Sequence, residues 1–121
     1  MSALLKHDDL FSYGPESRAE TVASGIKQVL LGADDRVAQS KTWYQRGAVS
    51  QSDANAYSLV CYILDGFFEV QIDGKSQILG PSGSFIVPAG TPHGLSCLED
   101  GVLLGVFASQ MTHPSLAEVA R

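Results

Sequence analysis

The chain has 121 residues, of which 45% are hydrophobic, and this length and content suit one domain with a single core. Its formal net charge of −5 repels polyanions and offers no basic surface to a phosphate backbone, so no nucleic acid is expected as a partner. Because the first residues lack a basic start followed by a long apolar run, and no apolar stretch is long enough to cross a bilayer, we expect a cytoplasmic protein that does not associate with membranes.

Short segments rich in β-branched and aromatic residues follow one another from Gly25 onward, which predicts strands. The predicted strands are residues 26–31, 37–44, 57–64, 67–72, 76–79, 84–87, 94–98 and 102–107. Turn residues separate nearly all of them, for example Asp65-Gly66, Asp73-Gly74 and Glu99-Asp100-Gly101. Short strands at this regular spacing predict an all-β barrel or sandwich over residues 25–110.

The two ends of the chain lack this strand pattern. Residues 1–24 contain Gly14-Pro15 and mixed charges, which are typical of a loop or an N-terminal arm. Residues 111–121 form a tail in which Pro114, at a plausible first helical position, predicts a short C-terminal helix. His7 and His113 lie in these ends, so we interpret both as solvated side chains.

The most informative stretch is Gly83-Ser-Phe-Ile-Val-Pro-Ala-Gly-Thr-Pro-His-Gly94, a short apolar strand followed by a rigid turn. Pro88 and Pro92 fix φ on either side of Gly90, which permits a positive φ, so the turn can point His93 in one direction. This stretch resembles the second signature of the cupin superfamily, in which the matching histidine is a metal ligand inside a small β-barrel.

A second part of the chain carries the same resemblance in the correct order. Residues 57–75 contain a strand that ends in Asp65-Gly66 and another that ends in Asp73-Gly74, as in the central hairpin of cupins. The resemblance covers roughly residues 35–108 and implies an RmlC-like jelly roll, a double-stranded β-helix, in a small single-domain cupin. The stretch 98–107 is weakly similar to cupins that linearise uronate sugars in pectin degradation.

The resemblance also implies where metal ligands would stand. Counting back from Gly66, the family pattern has two histidines at the positions of Asp53 and Asn55, and a glutamate or glutamine at Leu59. Three of the four usual ligands are therefore replaced, and only His93 is retained. We expect no bound cofactor. If a divalent transition metal binds, we expect His93 and Asp53 to be its ligands.

Strand alternation places Cys61 and Cys97 on interior faces if Leu59 and His93 face inward. Two thiols are too few for a disulfide framework, and buried cysteines are usually packing residues, which is the preferred interpretation. The alternative is that the thiols line a pocket with His93, where they would bind a metal or one would act as a nucleophile.

Two further groups of candidate ligand-contacting residues have two interpretations each. The aromatic residues of the strands form either a wall for a ligand or part of the core or of a subunit interface; they are Trp43, Tyr44, Tyr57 and Tyr62. The polar residues Gln39, Lys41 and Gln71 alternate with apolar ones, so they point either into a pocket or to solvent.

Three classes of function remain open, and whether the protein is an enzyme is left undecided. The first is a cupin with a degenerate metal site that binds a small polar molecule, a sugar or an organic acid, through Asp53, Asn55, Tyr57, Cys61 and His93. The second is a metal-dependent isomerase, tautomerase or dioxygenase that uses His93 and Asp53. The third is a metal-free isomerase or epimerase with His93 as its catalytic base.

The many apolar strand residues and the arm also predict a homodimer.

Overall fold

The computed structural model describes residues 10–52 and 55–109, and within them it is almost entirely β-sheet. One turn of 3-10 helix, Pro15–Arg18, precedes the strands. The strands are β1 (Glu20–Ala23), β2 (Ile26–Ala33), β3 (Val37–Tyr44), β4 (Val49–Ser52), β5 (Tyr57–Ile72), β6 (Lys75–Leu79), β7 (Ser84–Val87) and β8 (His93–Ser109). The described part of the chain contains no helix long and apolar enough to cross a membrane. The predicted C-terminal helix lies outside the described residues.

Two long strands organise the fold. β5 has 16 residues and β8 has 17, and they pair in antiparallel fashion along almost their whole length. The first half of β5 and the second half of β8 belong to sheet 1, whose order is β1-β2-β3-β8-β5-β7. The other halves belong to sheet 2, whose order is β4-β8-β5-β6. This arrangement is the predicted jelly roll.

Both long strands pass from one sheet to the other at a tight corner. Gly66 has φ +84°, and the pairing of β5 with β8 shifts register between Ile63 and Phe68. A Cβ on Gly66 would lie 2.5 Å from the carbonyl oxygen of Asp100, and one on Gly101 would lie 2.5 Å from Cζ of Phe68. Only glycine therefore allows the two backbones to cross this closely.

The corner corrects part of the predicted strand pattern. Asp65-Gly66 and Glu99-Asp100-Gly101 were interpreted as turns that end strands, but β5 and β8 continue through both. The Asp73-Gly74 prediction is confirmed, because these residues form the two-residue turn between β5 and β6 with φ of 51° and 80°. Strands β1 and β4 were not predicted, and β1 lies within the segment assigned to the arm.

The core lies between the two sheets, and the predicted alternation of interior residues is confirmed. Leu59, Cys61 and Ile63 of β5 and Leu95 and Cys97 of β8 are all buried in one cluster. Sheet 1 also contributes Ile26, Tyr44 and Leu103, and sheet 2 contributes Phe68 and Val70. Apolar side chains therefore form the core between the two sheets.

We predict that Gly66→Ala lowers the free energy of unfolding by about 3 kcal/mol or more, because the new Cβ meets backbone atoms at the corner in addition to the strain of a positive φ. Gly47→Ala is the matched control, since Gly47 has φ +89° but no atom lies within 4 Å of its added Cβ. That variant should lose only about 1 kcal/mol of unfolding free energy. Urea denaturation measures the unfolding free energy of both variants, and equal losses would contradict the proposed role of the corner.

Candidate functional site

The turn before His93 is held in place on both sides. Its contacts are three hydrogen bonds: Gly90 N–H to the Asn55 carbonyl at 2.8 Å, Ala89 N–H to Ser58 Oγ at 3.3 Å, and Asp73 N–H to the Pro92 carbonyl at 3.0 Å. Gly90 has φ +79°, as the sequence predicted. The turn is thus tied to the start of β5 and to the hairpin between β5 and β6, which fixes the direction in which β8 begins.

His93 is the first residue of β8 and is half-buried. In the sheet it lies between Ser52 of β4 and Ile72 of β5. Its Nδ1 is 3.2 Å from the carbonyl oxygen of Thr91. Because a carbonyl only accepts hydrogen bonds, this contact places the proton of the neutral ring on Nδ1 and leaves Nε2 as an acceptor.

A surface groove of about 410 Å³ runs beside His93; we call it the His93 groove. Its polar lining consists of Gln51, Ser52, Gln71, Asp73, Ser76 and His93. Gln51 and Gln71 lie on either side of Gly94 in sheet 2, and a Cβ on Gly94 would be 3.3 Å from Cγ of Gln51. None of the described residues that line the groove is a lysine or an arginine. The groove therefore offers amides, hydroxyls and one carboxylate, and it meets His93 at the rim of the barrel, because strand alternation places Gln51 and Gln71 on the opposite face of sheet 2 from His93.

The predicted site residues have different surroundings. Ser52 is the cross-strand neighbour of His93, and its hydroxyl donates to Asn55 Oδ1 at 3.2 Å, so Asn55 is bonded to the residue paired with His93. Tyr57 instead packs edge-on against Phe107, with ring centroids 5.4 Å apart, and burial raises the pKa of its hydroxyl. Asp53 lies outside the described residues.

Cys61 and Cys97 are both free and buried in the core. Burial raises the pKa of the Cys61 thiol to about 12. Burial also raises the pKa of Cys97, whose Sγ donates a hydrogen bond to the carbonyl of Glu99 at 2.9 Å. Both thiols are therefore protonated at neutral pH, and neither is among the described residues that line the His93 groove.

Sequence reasoning missed a band of polar residues in the interior. Ser40 and Thr42 of β3 are buried, and Gln28 donates to Thr42 Oγ1 at 3.1 Å. The hydroxyl of Tyr44 lies 3.4 Å from Ser50 Oγ and so connects the two sheets. The signal was present, because β3 alternates Gln39 and Lys41 with Ser40 and Thr42, so one of the two polar sets must face inward. Gln39 and Gln71 are both exposed, and Gln71 also lines the His93 groove.

A second opening lies at the edge of sheet 1. It has a volume of about 810 Å³ and is lined by Gln28, Leu30, Ser40 and Phe107 together with residues of β1 and the 3-10 turn. It gives access to the interior polar band, whereas the His93 groove lies beside sheet 2. The two openings are lined by different strands, so residue-specific measurements can distinguish them.

The donor set does not fit the four-ligand metal site that the cupin resemblance implies. Asn55 Oδ1 already accepts the Ser52 hydroxyl, and Leu59 presents an alkyl side chain to the apolar core. Within residues 10–52 and 55–109 no three side chains of His, Cys, Asp or Glu are grouped so that they could hold a metal ion. His93 is left as the one strong nitrogen donor among the described positions that correspond to ligands.

Comparisons with known proteins agree with the geometry of the fold. Residues 43–107 match the family model of the Cupin domain. Over 95 residues the chain is 26% identical to the pectin degradation protein KdgF of Dickeya dadantii (strain 3937). The aligned region covers 77% of this chain and 86% of that protein.

Two solved structures are similar over most of their length. KdgF from Halomonas sp. matches with a TM-score of 0.76 and 25% identity, covering 84% of this chain and 94% of that chain. An RmlC-like cupin from Shewanella frigidimarina NCIMB 400 matches with a TM-score of 0.77 and 31% identity, covering 86% of this chain and 94% of that chain. The similarity therefore extends across the barrel and includes both long strands.

We predict that neither cysteine of the native protein reacts with N-ethylmaleimide at pH 8, because both thiols are buried and protonated. Ile78→Cys is the positive control, since position 78 is 61% exposed on β6 of sheet 2. Mass spectrometry should find the label on residue 78 alone, and on all cysteines after unfolding in urea. Rapid labelling of native Cys61 would show that its thiol is accessible.

Proposed function

The chain belongs to the cupin family, and from this premise we propose that it binds a small polar molecule, a sugar or an organic acid, in the His93 groove without the help of a metal ion. The similarity to a protein named for pectin degradation supports a carbohydrate ligand. The barrel does not decide whether binding leads to catalysis, since the same fold carries many functions.

One observation carries this proposal: His93 is oriented by the Thr91 carbonyl and borders a groove of uncharged polar groups and one carboxylate. Hydroxyl groups of a sugar both donate and accept hydrogen bonds, which suits the amides of Gln51 and Gln71 and the carboxylate of Asp73. A free carboxylate on the ligand would find no lysine or arginine among the described lining residues. We therefore favour a sugar over an organic acid.

The other predicted contacts are assigned different roles. Asn55 is joined to the groove through Ser52, and Asp53 follows Ser52 in the chain, so both are proposed as further ligand contacts. Tyr57 and Cys61 are proposed to pack the interior, because Tyr57 contacts Phe107 and Cys61 lies in the core. We further propose that the protein acts in the cytoplasm and as a homodimer.

A second candidate function is metal-free isomerisation, and the tautomer of His93 favours it. With its proton on Nδ1, the ring has a free Nε2 lone pair that can take a proton from a carbon next to a sugar carbonyl. The protonated ring then returns that proton to the neighbouring carbon of the enediolate, and the hydroxyl proton passes to the former carbonyl oxygen, so the carbonyl and the hydroxyl exchange positions. In this role His93 would be the catalytic residue.

We predict that D-galactose and its carboxylate counterpart D-galacturonate, tested in the presence of EDTA, perturb amide NMR signals around Ser52, Gln71 and His93, and that galactose binds more tightly. His93→Ala should weaken binding at least tenfold while the spectrum stays folded. Gln39→Ala is the control, because Gln39 is exposed on a strand outside the groove.

Three outcomes would contradict the proposal. Perturbation confined to Gln28 and Ser40 would move the ligand to the opening in sheet 1. Unfolding of His93→Ala would give His93 a structural role. Binding that EDTA abolishes would require a metal. Conversion of either sugar, followed in the same spectra and lost in His93→Ala, would support the isomerase candidate.

We predict that the purified protein carries no stoichiometric zinc, manganese or iron, and that Asp53→His, Asn55→His and Leu59→Glu combined create a site for about one metal ion per chain. The reason is that the barrel backbone is retained while the donors at these positions are replaced. Elemental analysis measures the number of metal ions per chain in the wild type, in the triple variant and in the triple variant with His93→Ala. About one ion per wild-type chain, lost in His93→Ala, would contradict the prediction.

A further inference from the structure

A cavity of about 610 Å³ lies at the corner where the two long strands cross, and Gly101 is among its lining residues. Lys27, Trp43 and Val102 also line it, and each of them is next in sequence to a buried core residue. Strand alternation therefore places this cavity on the outer face of sheet 1. We call it the Trp43 cavity. The described residues that line it are all different from those of the His93 groove.

Four of the lining residues form one row across the sheet. Lys27 on β2 pairs with Trp43 on β3. Trp43 pairs in turn with Val102 on β8, and Val102 pairs with Asp65 on β5. Cross-strand partners point to the same face of a sheet, so the row has an ammonium group at one end and a carboxylate at the other. An indole ring and an alkyl group lie between the two charges.

Backbone groups orient the carboxylates of the Trp43 cavity. Asp65 Oδ1 accepts the N–H of Gly66 at 2.9 Å, and Asp100, which also lines the cavity, accepts the N–H of Arg46 on its Oδ1 at 2.7 Å. The second oxygen of each carboxylate receives no hydrogen bond from the described residues. In that part of the chain neither carboxylate forms an ion pair, and nor does Lys27. The cavity therefore has acceptors at one end and a donor at the other.

The indole ring of Trp43 is half-buried and is held by a cation of the chain itself. The ammonium group of Lys41 lies over the ring, 5.2 Å from its centroid, and Glu16 Oε2 lies 3.1 Å from that ammonium group. Such contacts form because the face of an indole ring is electron-rich. Lys41 is not among the described residues that line the cavity, so the part of the ring that does line it is left to a ligand.

We infer that the Trp43 cavity binds a ligand with a guanidinium group at one end of an aliphatic chain and a carboxylate at the other, as in free arginine or in an arginine that ends a peptide. A planar guanidinium group stacks on an indole ring and donates hydrogen bonds in a fixed fork, which suits Trp43 and the two carboxylates. The carboxylate of the ligand pairs with Lys27. The inference is independent of the sugar proposed for the His93 groove.

The length of the row favours charges that are far apart in the ligand. The Cα atoms of Lys27 and Asp65 are separated by three strand spacings, about 14 Å. After a hydrogen bond at each end, on the order of 8 Å remains for the ligand. Extended arginine has this length, whereas the ammonium and carboxylate groups of glycine are too close together to reach both ends of the row.

Trp43 is the only tryptophan of the chain, so its fluorescence reports on this cavity. L-Arginine should change the fluorescence of Trp43 with a dissociation constant of about 1 mM or lower at low ionic strength. L-Citrulline has the same length but a neutral urea group, and it should bind at least tenfold more weakly. Agmatine keeps the guanidinium group and lacks the carboxylate, so it should bind about threefold more weakly than arginine.

Three variants test the two ends of the row, and circular dichroism checks that each is folded. Asp65→Asn keeps an oxygen for the Gly66 N–H but removes the charge, so it should weaken arginine and agmatine at least tenfold each. Lys27→Met keeps the aliphatic chain, and it should weaken arginine about threefold and leave agmatine unchanged. Gln39→Ala is the control, because Gln39 is exposed on β3 and does not line the cavity.

Equal responses to arginine and citrulline, or wild-type affinity in Asp65→Asn, would overturn the inference. Loss of agmatine binding in Lys27→Met would overturn the assigned orientation. Arginine that shifts the amide NMR signals of Ser52 and His93, and not those of Lys27 and Gly101, would also overturn it. Glycyl-glycyl-arginine distinguishes the two sources of the ligand: binding at least as tight as that of arginine assigns the site to peptide ends, and weaker binding assigns it to the free amino acid.

Discussion

The close crossing of β5 and β8 at Gly66 and Gly101 is the constraint on which the rest of the structure depends. Because the two backbones meet without intervening side chains, each strand continues from sheet 1 into sheet 2 and the sheets are joined by continuous chain. The register set at this corner decides which residues of β5 and β8 face inward on both sides of it. It also places His93 eight residues from Gly101, a distance of about 26 Å along β8, at the far end of sheet 2.

That placement separates the core from the candidate site. Near the corner the interior is filled by Ile63, Phe68 and Leu103, and the filling continues through Leu59, where related cupins are expected to have a ligand. Polar groups remain at the rim of the barrel, around His93 and Ser52, and in the band that includes Ser40 and Thr42. Residues 10–52 and 55–109 contain no group of metal donors, and the proposed ligand position is at this polar rim around His93.

The sequence predicted the fold better than the course of individual strands. The turn from Pro88 to Gly94 and the alternation of buried residues in β5 were predictable, because fixed φ angles and period-two burial are local properties. The corner was not, because an acidic residue followed by a glycine with positive φ serves equally in a hairpin turn and in a strand that changes sheets. The inward-facing Ser40 and Thr42 were also missed, since β3 is polar on both faces and only the sheet pairing decides which face is inside.

The central claim is that His93 is a metal-free side chain whose Nδ1 donates to the Thr91 carbonyl and whose Nε2 is free to accept. Long-range proton–nitrogen NMR of the imidazole rings tests it most directly, with His93→Ala used to assign the signal among the three histidines of the chain. The account predicts the Nδ1–H tautomer at neutral pH, unchanged by EDTA. A ring protonated on Nε2, or a nitrogen shift that EDTA reverses, would contradict it.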